Sequence, residues 1–291
     1  MWKTVLRRVL VMIPQLFILS IIIFILAKNM PGDPFTGLIT PQTDPAVLEE
    51  LKRKAGLYDP IHIQYIRWLK NAFQGDFGMS YAYKIPVKIL IGQRAGNTFV
   101  LSVLSTVLTY CIAIPLGVLA GRYQNTKLDK AVILYNYISY AIPTFVLSLL
   151  MLWLFGYTLD WFPKTGSVTI GIEPGTLKYF IDKLYHLILP ATTYALLATV
   201  GIIQYLRNEV IDAKSLDYVK TARSKGVPEN KVYSKHILRN SLLPIAAFFG
   251  YTITGVLSGS VFIELIFSYP GMGNLFINSI SSRDYSVVTA L

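Results

Sequence analysis

The sequence predicts an all-α fold, a polytopic bundle of transmembrane helices. Of its 291 residues, 53% are hydrophobic and 15% are charged, whereas a soluble domain carries about 25% charged residues. The 19 Tyr, 15 Phe and 4 Trp exclude a disordered chain, because disordered segments are poor in aromatic residues. Five segments without Asp, Glu, Lys or Arg are each long enough to cross a bilayer as a helix: residues 9–27, 95–121, 131–159, 184–206 and 240–263.

The first of these segments is predicted to be a membrane span rather than a cleaved signal peptide. It is longer than a typical signal-peptide core and contains Pro14 and Gln15, and residues 29–31 do not form a small-residue cleavage site. The single cysteine, Cys111, lies within the second segment and excludes a disulfide scaffold.

The distribution of lysine and arginine predicts a cytoplasmic N-terminus. In that orientation 14 of the 27 basic residues lie in the N-terminal tail and cytoplasmic loops, and four lie in the short outer segments, as the positive-inside rule requires. The first outer loop, residues 30–94, holds eight more, but a loop of that length is translocated largely regardless of charge. The net charge of +11 therefore reflects topology. Because the basic residues form no groove with stacking aromatics, no nucleic-acid partner is expected.

Short helices are predicted within the outer loop. Asp44 is a suitable N-cap, Pro45 suits the first helical position, and Gly56 suits the position after the helix end. Apolar residues at helical spacing from Ile61 to Phe73 predict a second helix. We expect this helix to rest on the bilayer or on the bundle; the alternative is that it receives an external partner.

The C-terminal part is less regular. Residues 265–284 contain a Tyr-Pro-Gly-Met-Gly run and are predicted to form a loop or re-entrant hairpin rather than a span. Residues 285–291 look like the start of a sixth helix whose remainder is absent from the sequence. The expected organisation is therefore a tail and first span (1–29), a long extracytoplasmic loop (30–94) and a helical core (95–291).

The cytoplasmic loop at 207–241 has the most informative pattern. Asp217 can cap a short helix over 218–225, and Gly226 with Pro228 ends it. The small residues Thr221 and Ala222 at its middle would let the backbone of another protein approach closely. The alternative is an ordinary solvated basic loop, and the abrupt stop favours a docking element.

Several motifs together resemble the oligopeptide/dipeptide-type permeases of ABC importers over essentially the whole chain. The loop block consists of QYLR at 204–207, DYVKTARSKG at 217–226 and HILRNSLLP at 236–244. The other blocks are PGDP at 31–34, GDFG at 75–78 with Ser80, HLILP at 186–190, and YPGMG at 269–273 with RDY at 283–285. The long first outer loop resembles the "B" permease subunit of these systems.

This resemblance implies a transport complex rather than a protein that acts alone. The partners would be a second permease subunit in a heterodimer, two ATP-binding subunits, an extracytoplasmic peptide-binding protein, the peptide substrate and membrane lipid. ATP and magnesium would be bound by the ATP-binding subunits, so this chain is expected to hold no cofactor and no metal. The alternative cargoes are a nickel chelate or glutathione. The family has six spans, one more than the complete spans found here.

The resemblance also assigns the short helix of the loop as the coupling helix that docks on an ATP-binding subunit. The expected docking residues are Asp217, Tyr218, Lys220, Thr221, Ala222, Arg223, Lys225 and Gly226. Lys220, Thr221 and Ala222 occupy the positions of the Glu-Ala-Ala triplet of importer permeases, so the glutamate of that motif is missing.

The translocation pathway is assigned from polar residues in or beside the apolar segments. The candidates are Asn136, Ser139, Pro143, Ser258, Ser260 and Glu264. Glu264 either faces the outer mouth of the pathway or pairs with Arg283 or a neighbouring loop, because a carboxylate in a membrane needs water or a partner. Pro143 and the polar groups also suit a packing or kink role.

Other function classes lack their sequence signatures. The chain contains no Gly-Lys-Ser/Thr phosphate loop, no His-Glu-x-x-His pattern and no Gly-x-Ser-x-Gly elbow, so an enzyme is not expected. A secondary transporter would carry ion-coupling acids at mid-membrane and often internal repeats, and the five segments have no charged residue. A permease driven by separate ATPases remains the prediction.

Overall fold

The computed structural model describes residues 2–30, 45–54, 56–255 and 261–291, which are helical and contain no β-strand. The all-α prediction is therefore confirmed. Thirteen α-helices and two π-helical stretches lie in those ranges. The helices are α1 Trp2–Lys28, α2 Pro45–Lys54, α3 Ile61–Phe73, α4 Val87–Arg122, α5 Lys127–Ala141, α6 Thr144–Met151, α7 Leu177–Ala213, α8 Asp217–Ser224, α9 Glu229–Lys231, α10 Leu238–Gly255, α11 Val261–Ile266, α12 Met272–Ser281 and α13 Tyr285–Ala290. The π-helical stretches are Leu152–Thr158 and Val232–Ile237.

The chain forms two compact units, one of residues 1–94 with 275–291 and one of residues 95–274. In the first unit, α3 packs on α1 through aromatic rings. The ring of Phe24 lies 5.4 Å from that of Tyr65 and 5.7 Å from that of Trp68, and the hydroxyls of Ser20 and Tyr65 are 2.8 Å apart. The prediction of a helix from Ile61 to Phe73 is confirmed, and one face of that helix rests on α1.

Two predicted local signals of the first unit are confirmed. Helix α2 begins at Pro45, and Gly56 has φ +69° just beyond its end, the left-handed conformation that glycine adopts most readily. Asp44 lies outside the described residues.

The C-terminal stretch from Tyr285 is helical and forms α13. Asp284 accepts hydrogen bonds from the Ser80 hydroxyl (2.5 Å) and from the Val287 N–H of α13.

Within the described residues, three helices are long and apolar enough to span a membrane, and a bent pair can make a fourth. The three are α1, α4 and α7. The predicted fifth span, residues 240–263, lies partly outside the described residues, since α10 ends at Gly255 and α11 begins at Val261.

The prediction of one continuous helix over 131–159 is wrong, because the chain bends by 104° between α5 and α6, although the bent pair can still count as one span. Pro143 has no backbone N–H and disfavours helical conformation in the residue before it. Ile142 accordingly has an extended backbone with φ −83° and ψ 120°. The helix restarts at Thr144 with Pro143 as its N-cap.

In the second unit, two glycines let α4 and α7 approach closely. A Cβ at Gly121 would lie 2.7 Å from Val210 Cβ and 2.9 Å from the Arg207 carbonyl oxygen, and one at Gly117 would lie 3.0 Å from Leu206 Cβ. Glycines four residues apart form one small-residue stripe, which is a common contact between membrane helices.

We predict that Gly121→Ala lowers the free energy of unfolding by about 1–3 kcal/mol, because the added methyl overlaps Val210 and the α7 backbone. Gly96→Ala is the matched control, since a Cβ at Gly96 on the same helix would meet nothing within 4 Å. The measurement is unfolding of the purified chain in detergent, followed by circular dichroism. Equal stabilities of the two variants would contradict the close contact.

Candidate functional site

The short helix α8 and the chain on both sides of it form the candidate site. The helix begins at Asp217 and its N-cap is Leu216, with φ −73° and ψ 149°, so the expectation that Asp217 is the cap is wrong. The Leu216 carbonyl accepts the N–H groups of Val219 and Lys220, which makes Asp217 the first helical residue. The Asp217 carboxylate instead accepts a hydrogen bond from Lys220 Nζ at 3.0 Å. A carboxylate in the first turn still favours the helix through its dipole.

The predicted stop of α8 at Gly226 is confirmed. Gly226 has φ +74°, its N–H donates to the Arg223 carbonyl, and the Val227 N–H donates to the Ala222 carbonyl. This pair of bonds satisfies carbonyls at the helix end that have no helical partner. Nothing lies within 4 Å of a Cβ built at Gly226, so its backbone conformation, and not space, is what favours glycine there.

An ion pair joins α8 to α9 across this turn. Arg223 Nε donates to Glu229 Oε1 at 2.8 Å. The guanidinium lowers the pKa of Glu229 below its usual value through this hydrogen bond and has its own pKa raised by it. Both side chains are exposed, so the pair contributes little to the stability of the fold.

The buried face of α8 consists of Val219 and Ala222, which belong to a core formed with α7 and the stretch Val232–Ile237. Ala222 is 5% exposed, so the interpretation that it lets a partner backbone approach is wrong: its methyl packs within this chain. The surface of α8 is instead formed by residues that are exposed. They are Asp217, Lys220, Thr221, Arg223 and Ser224, flanked by Leu216 and by Lys225 and Gly226.

The end of α4 holds this loop from the other side. Lys214 Nζ donates to the Arg122 carbonyl at 3.0 Å, and burial with the nearby charge of Arg223 lowers the pKa of Lys214. The Arg122 guanidinium donates to Asn230 at 2.8 Å and stacks 4.7 Å from the ring of Tyr233. Because these contacts join α4, α7 and the chain after α8, they form a base on which α8 is fixed.

A buried ion pair between Asp129 and Arg207 completes the base. Arg207 Nε donates to Asp129 Oδ1 at 2.6 Å and its Nη2 donates to Oδ2 at 2.9 Å. The Asn125 N–H donates to the same carboxylate at 2.8 Å. This pair was not predicted from the sequence, in which its partners are 78 positions apart. The available signal was an acid and a base that each lie within two residues of the end of an apolar segment.

The structure describes four of the six predicted pathway residues. Asn136 is buried in α5, and its amide nitrogen and oxygen have no hydrogen-bond partner among the described residues. Ser139 is half-buried on the same helix, and Pro143 is exposed at the bend. Ser258 and Ser260 lie outside the described residues.

Glu264 is fully buried and binds the start of α12. Its Oε1 accepts from the Thr98 hydroxyl at 2.7 Å, and its Oε2 accepts from the N–H groups of Gly273 (2.6 Å) and Asn274 (3.0 Å). The Thr98 hydroxyl in turn accepts from the Met272 N–H at 2.8 Å. The carboxylate therefore satisfies N–H groups that a helix start leaves without partners. A neighbouring turn is thus the partner of Glu264, one of the two alternatives that the sequence left open.

The glycines of the 269–273 run make this arrangement possible. A Cβ at Gly271 would overlap the Glu264 carboxylate, and one at Gly273 would lie 2.7 Å from Val261 Cα. Tyr269 is fully buried and donates its hydroxyl to the Asn97 carbonyl at 3.1 Å. Among the described residues, no group of three or more His, Cys, Asp or Glu could hold a metal ion.

Known protein families and relatives match nearly the whole length of the chain. Residues 113–291 match the family described as binding-protein-dependent transport system inner membrane component, and residues 1–109 match the N-terminal region described for such membrane components. The chain is 40% identical to the oligopeptide transport system permease protein AppB of Bacillus subtilis, over 99% of this chain and 90% of that protein.

Two further relatives have similar coverage. A putative peptide permease protein of Brucella suis is 35% identical over 99% of this chain and 90% of its own length. The glutathione transport system permease protein GsiC of Escherichia coli K12 is 32% identical over 100% of this chain and 90% of its own length. The chain therefore belongs to the family of inner membrane components of binding-protein-dependent transport systems, a family of multi-pass transport permeases rather than enzymes.

We predict that Asp129→Ala lowers the free energy of unfolding by about 3 kcal/mol, because it leaves the largely buried Arg207 without its partner. Asp59→Ala is the control: it removes an Asp–Arg pair of similar length, 2.7 Å to Arg67, whose side chains are exposed, and it should cost less than about 1 kcal/mol. Denaturant titration of both variants in the same detergent is the measurement. A loss at Asp129 no larger than at Asp59 would overturn the role of the buried pair.

We also predict that Glu264→Gln lowers the free energy of unfolding by about 1–3 kcal/mol, because an amide NH2 replaces an acceptor that the N–H groups of α12 require. Glu173→Gln, at an exposed glutamate, should change the stability by less than about 0.5 kcal/mol. The same titration measures both. If Glu264→Gln were as stable as the parent, the carboxylate would not be the helix cap.

Proposed function

We propose that this chain is the "B"-type permease subunit of an ATP-driven peptide importer. It would form the translocation pathway with a second permease subunit and would be driven by two ATP-binding subunits on the cytoplasmic side. The observation that carries the proposal is the 40% identity to an oligopeptide permease over nearly the full chain. An extracytoplasmic binding protein would deliver the peptide.

The orientation follows from the basic residues. If the N-terminus is cytoplasmic, the α4–α5 turn and the loop around α8 lie inside, where most basic residues of the short loops would then be found. This placement puts α8 on the same side as the ATP-binding subunits that it would contact.

In this proposal, α8 is the coupling helix. Its exposed residues and the N-cap Leu216 would lie in a cleft of an ATP-binding subunit. The exposed residues are Asp217, Lys220, Thr221, Arg223 and Ser224. Because Val219 and Ala222 pack into the core with α7, a displacement of α8 would be transmitted to the long helix α7 and to the helix that follows the loop. Closure of the ATPases would in this way move membrane helices relative to one another, a domain motion around the pathway.

Of the predicted pathway residues, Asn136 keeps a pathway role and Glu264 does not. Asn136 retains a pathway role, because its buried amide has no partner among the described residues and buried polar groups are normally paired. Glu264 is assigned to the stability of the α11–α12 turn instead. Glutathione is the second candidate cargo, since the permeases of glutathione systems are 32% identical over the whole chain.

Co-expression tests the proposal directly. The tagged chain should co-elute with a second permease and an ATPase pair encoded beside it, and the reconstituted complex with its binding protein should take up labelled oligopeptide when ATP is supplied. Uptake of glutathione and not of oligopeptides would favour the second cargo. Transport by the chain alone, driven by an ion gradient, would contradict an ATP-driven importer.

We predict that Leu216→Asp reduces ATP-driven uptake about tenfold or more, because it places an unpaired carboxylate in the docking face. Aspartate is a favoured N-cap residue, so the variant leaves α8 intact. Ala222→Asp is unsuitable because it would put a charge in the core. Leu128→Asp, also an exposed leucine near a helix start, is the matched control and should retain uptake. Normal uptake and ATPase co-elution with Leu216→Asp would refute the docking face.

A further inference from the structure

A pocket of about 530 Å³ lies beside α8, outside the docking face. It is lined by Tyr218 of α8, by Lys235 and His236 of the π-helical stretch, and by Arg239, Asn240 and Leu243 of α10. The basic residues recur at helical spacing, so Lys235 and Arg239 lie on one side of the chain as it passes from the π-helical stretch into α10.

The chemistry of the lining is that of an anion site. Lys235, His236 and Arg239 line the pocket without any carboxylate, and none of them forms an ion pair among the described residues. The Tyr218 hydroxyl is buried and has no hydrogen-bond partner there either. Several donors with no acceptor of their own suit the oxygens of a phosphate group.

The polarity of the pocket changes along α10. Lys235 and Arg239 precede the apolar segment that begins at residue 240, and Leu243, one turn into that segment, is 67% exposed. A free anion would make no favourable contact with the leucine at the apolar end of the pocket. A phospholipid matches both ends, since its headgroup lies at the level of the basic residues and its acyl chain lies beside the leucine, and basic pockets of this kind at the cytoplasmic surface bind anionic headgroups.

We propose that this pocket binds the phosphate headgroup of an anionic phospholipid of the cytoplasmic leaflet. The inference rests on the proposed function for the side of the membrane on which α8 lies. Because Tyr218 belongs to the coupling helix and the basic residues belong to the chain leading into α10, a bound headgroup would bridge the two. Anionic lipid would then help to transmit to α10 a movement of α8 that the ATPases cause.

The experiment uses the assembled complex in nanodiscs of phosphatidylcholine that contain a photoreactive phosphatidylglycerol analogue. After illumination, mass spectrometry measures the label on the peptides that carry Tyr218 and residues 235–243. We expect labelling there, and a decrease of about tenfold in Lys235→Gln/Arg239→Gln, because each basic residue near the surface contributes to anionic lipid binding. The control is Lys3→Gln/Arg7→Gln, an exposed pair with the same spacing on α1, which should leave the labelling unchanged.

Three results would overturn the lipid site. Equal labelling of the parent and the Lys235→Gln/Arg239→Gln variant would remove the role of the basic residues. Protection by excess inorganic phosphate but not by unlabelled phosphatidylglycerol would identify a free anion instead. Labelling of the isolated chain but not of the complex would show that a partner protein covers the pocket. Co-elution of the ATPases with the chain is measured on the same samples. If the ATPases did not co-elute but the labelling persisted, the proposed function would be contradicted and the lipid site would not.

Discussion

The close contact between α4 and α7 is the constraint on which the second unit depends. Gly117 and Gly121 remove the side chains that would separate the two helices, and the buried pair of Asp129 and Arg207 joins the start of α5 to α7 next to this contact. The attraction between two buried charges offsets only part of the cost of removing them from water, so such a pair adds little to the stability of a fold. Removing one partner is destabilising, because it leaves the other charge buried and unpaired. Separation of α5 from α7 would leave a buried charge without its partner, and α8 in turn packs on the end of α7.

Two buried carboxylates of the chain have the same kind of surroundings. Glu264 and Asp284 are both fully buried, and each accepts hydrogen bonds from N–H groups at a helix start and from a serine or threonine hydroxyl. Such a carboxylate exchanges water for several fixed donors, which is the condition for burying it. In both cases the acid lies beside a turn rather than in an open cavity, so a buried acid in this chain indicates a joint between helices.

Local signals were readable from the sequence, and contacts between distant residues were not. The start of α2 at Pro45, the helix over Ile61–Phe73 and the end of α8 at Gly226 depend on a few adjacent residues, and the sequence predicted them. The burial of Ala222 and the pairing of Asp129 with Arg207 depend on which helices lie side by side, which the sequence pattern does not contain. A kink at Pro143 was one of the alternatives that the sequence left open, but the sequence does not single out this proline, because Pro14, Pro115, Pro190 and Pro244 lie inside continuous helices.

The bend between α5 and α6 depends on two adjacent residues. Prolines inside α1, α4, α7 and α10 leave those helices continuous, so the absence of an N–H at Pro143 does not by itself produce the 104° angle. Ile142 has an extended backbone, and only Ile142 and Pro143 separate the two helices. The direction of α6 relative to α5 is therefore set by the backbone dihedral angles of these two residues, and a change of those angles alone would reorient the second half of the segment.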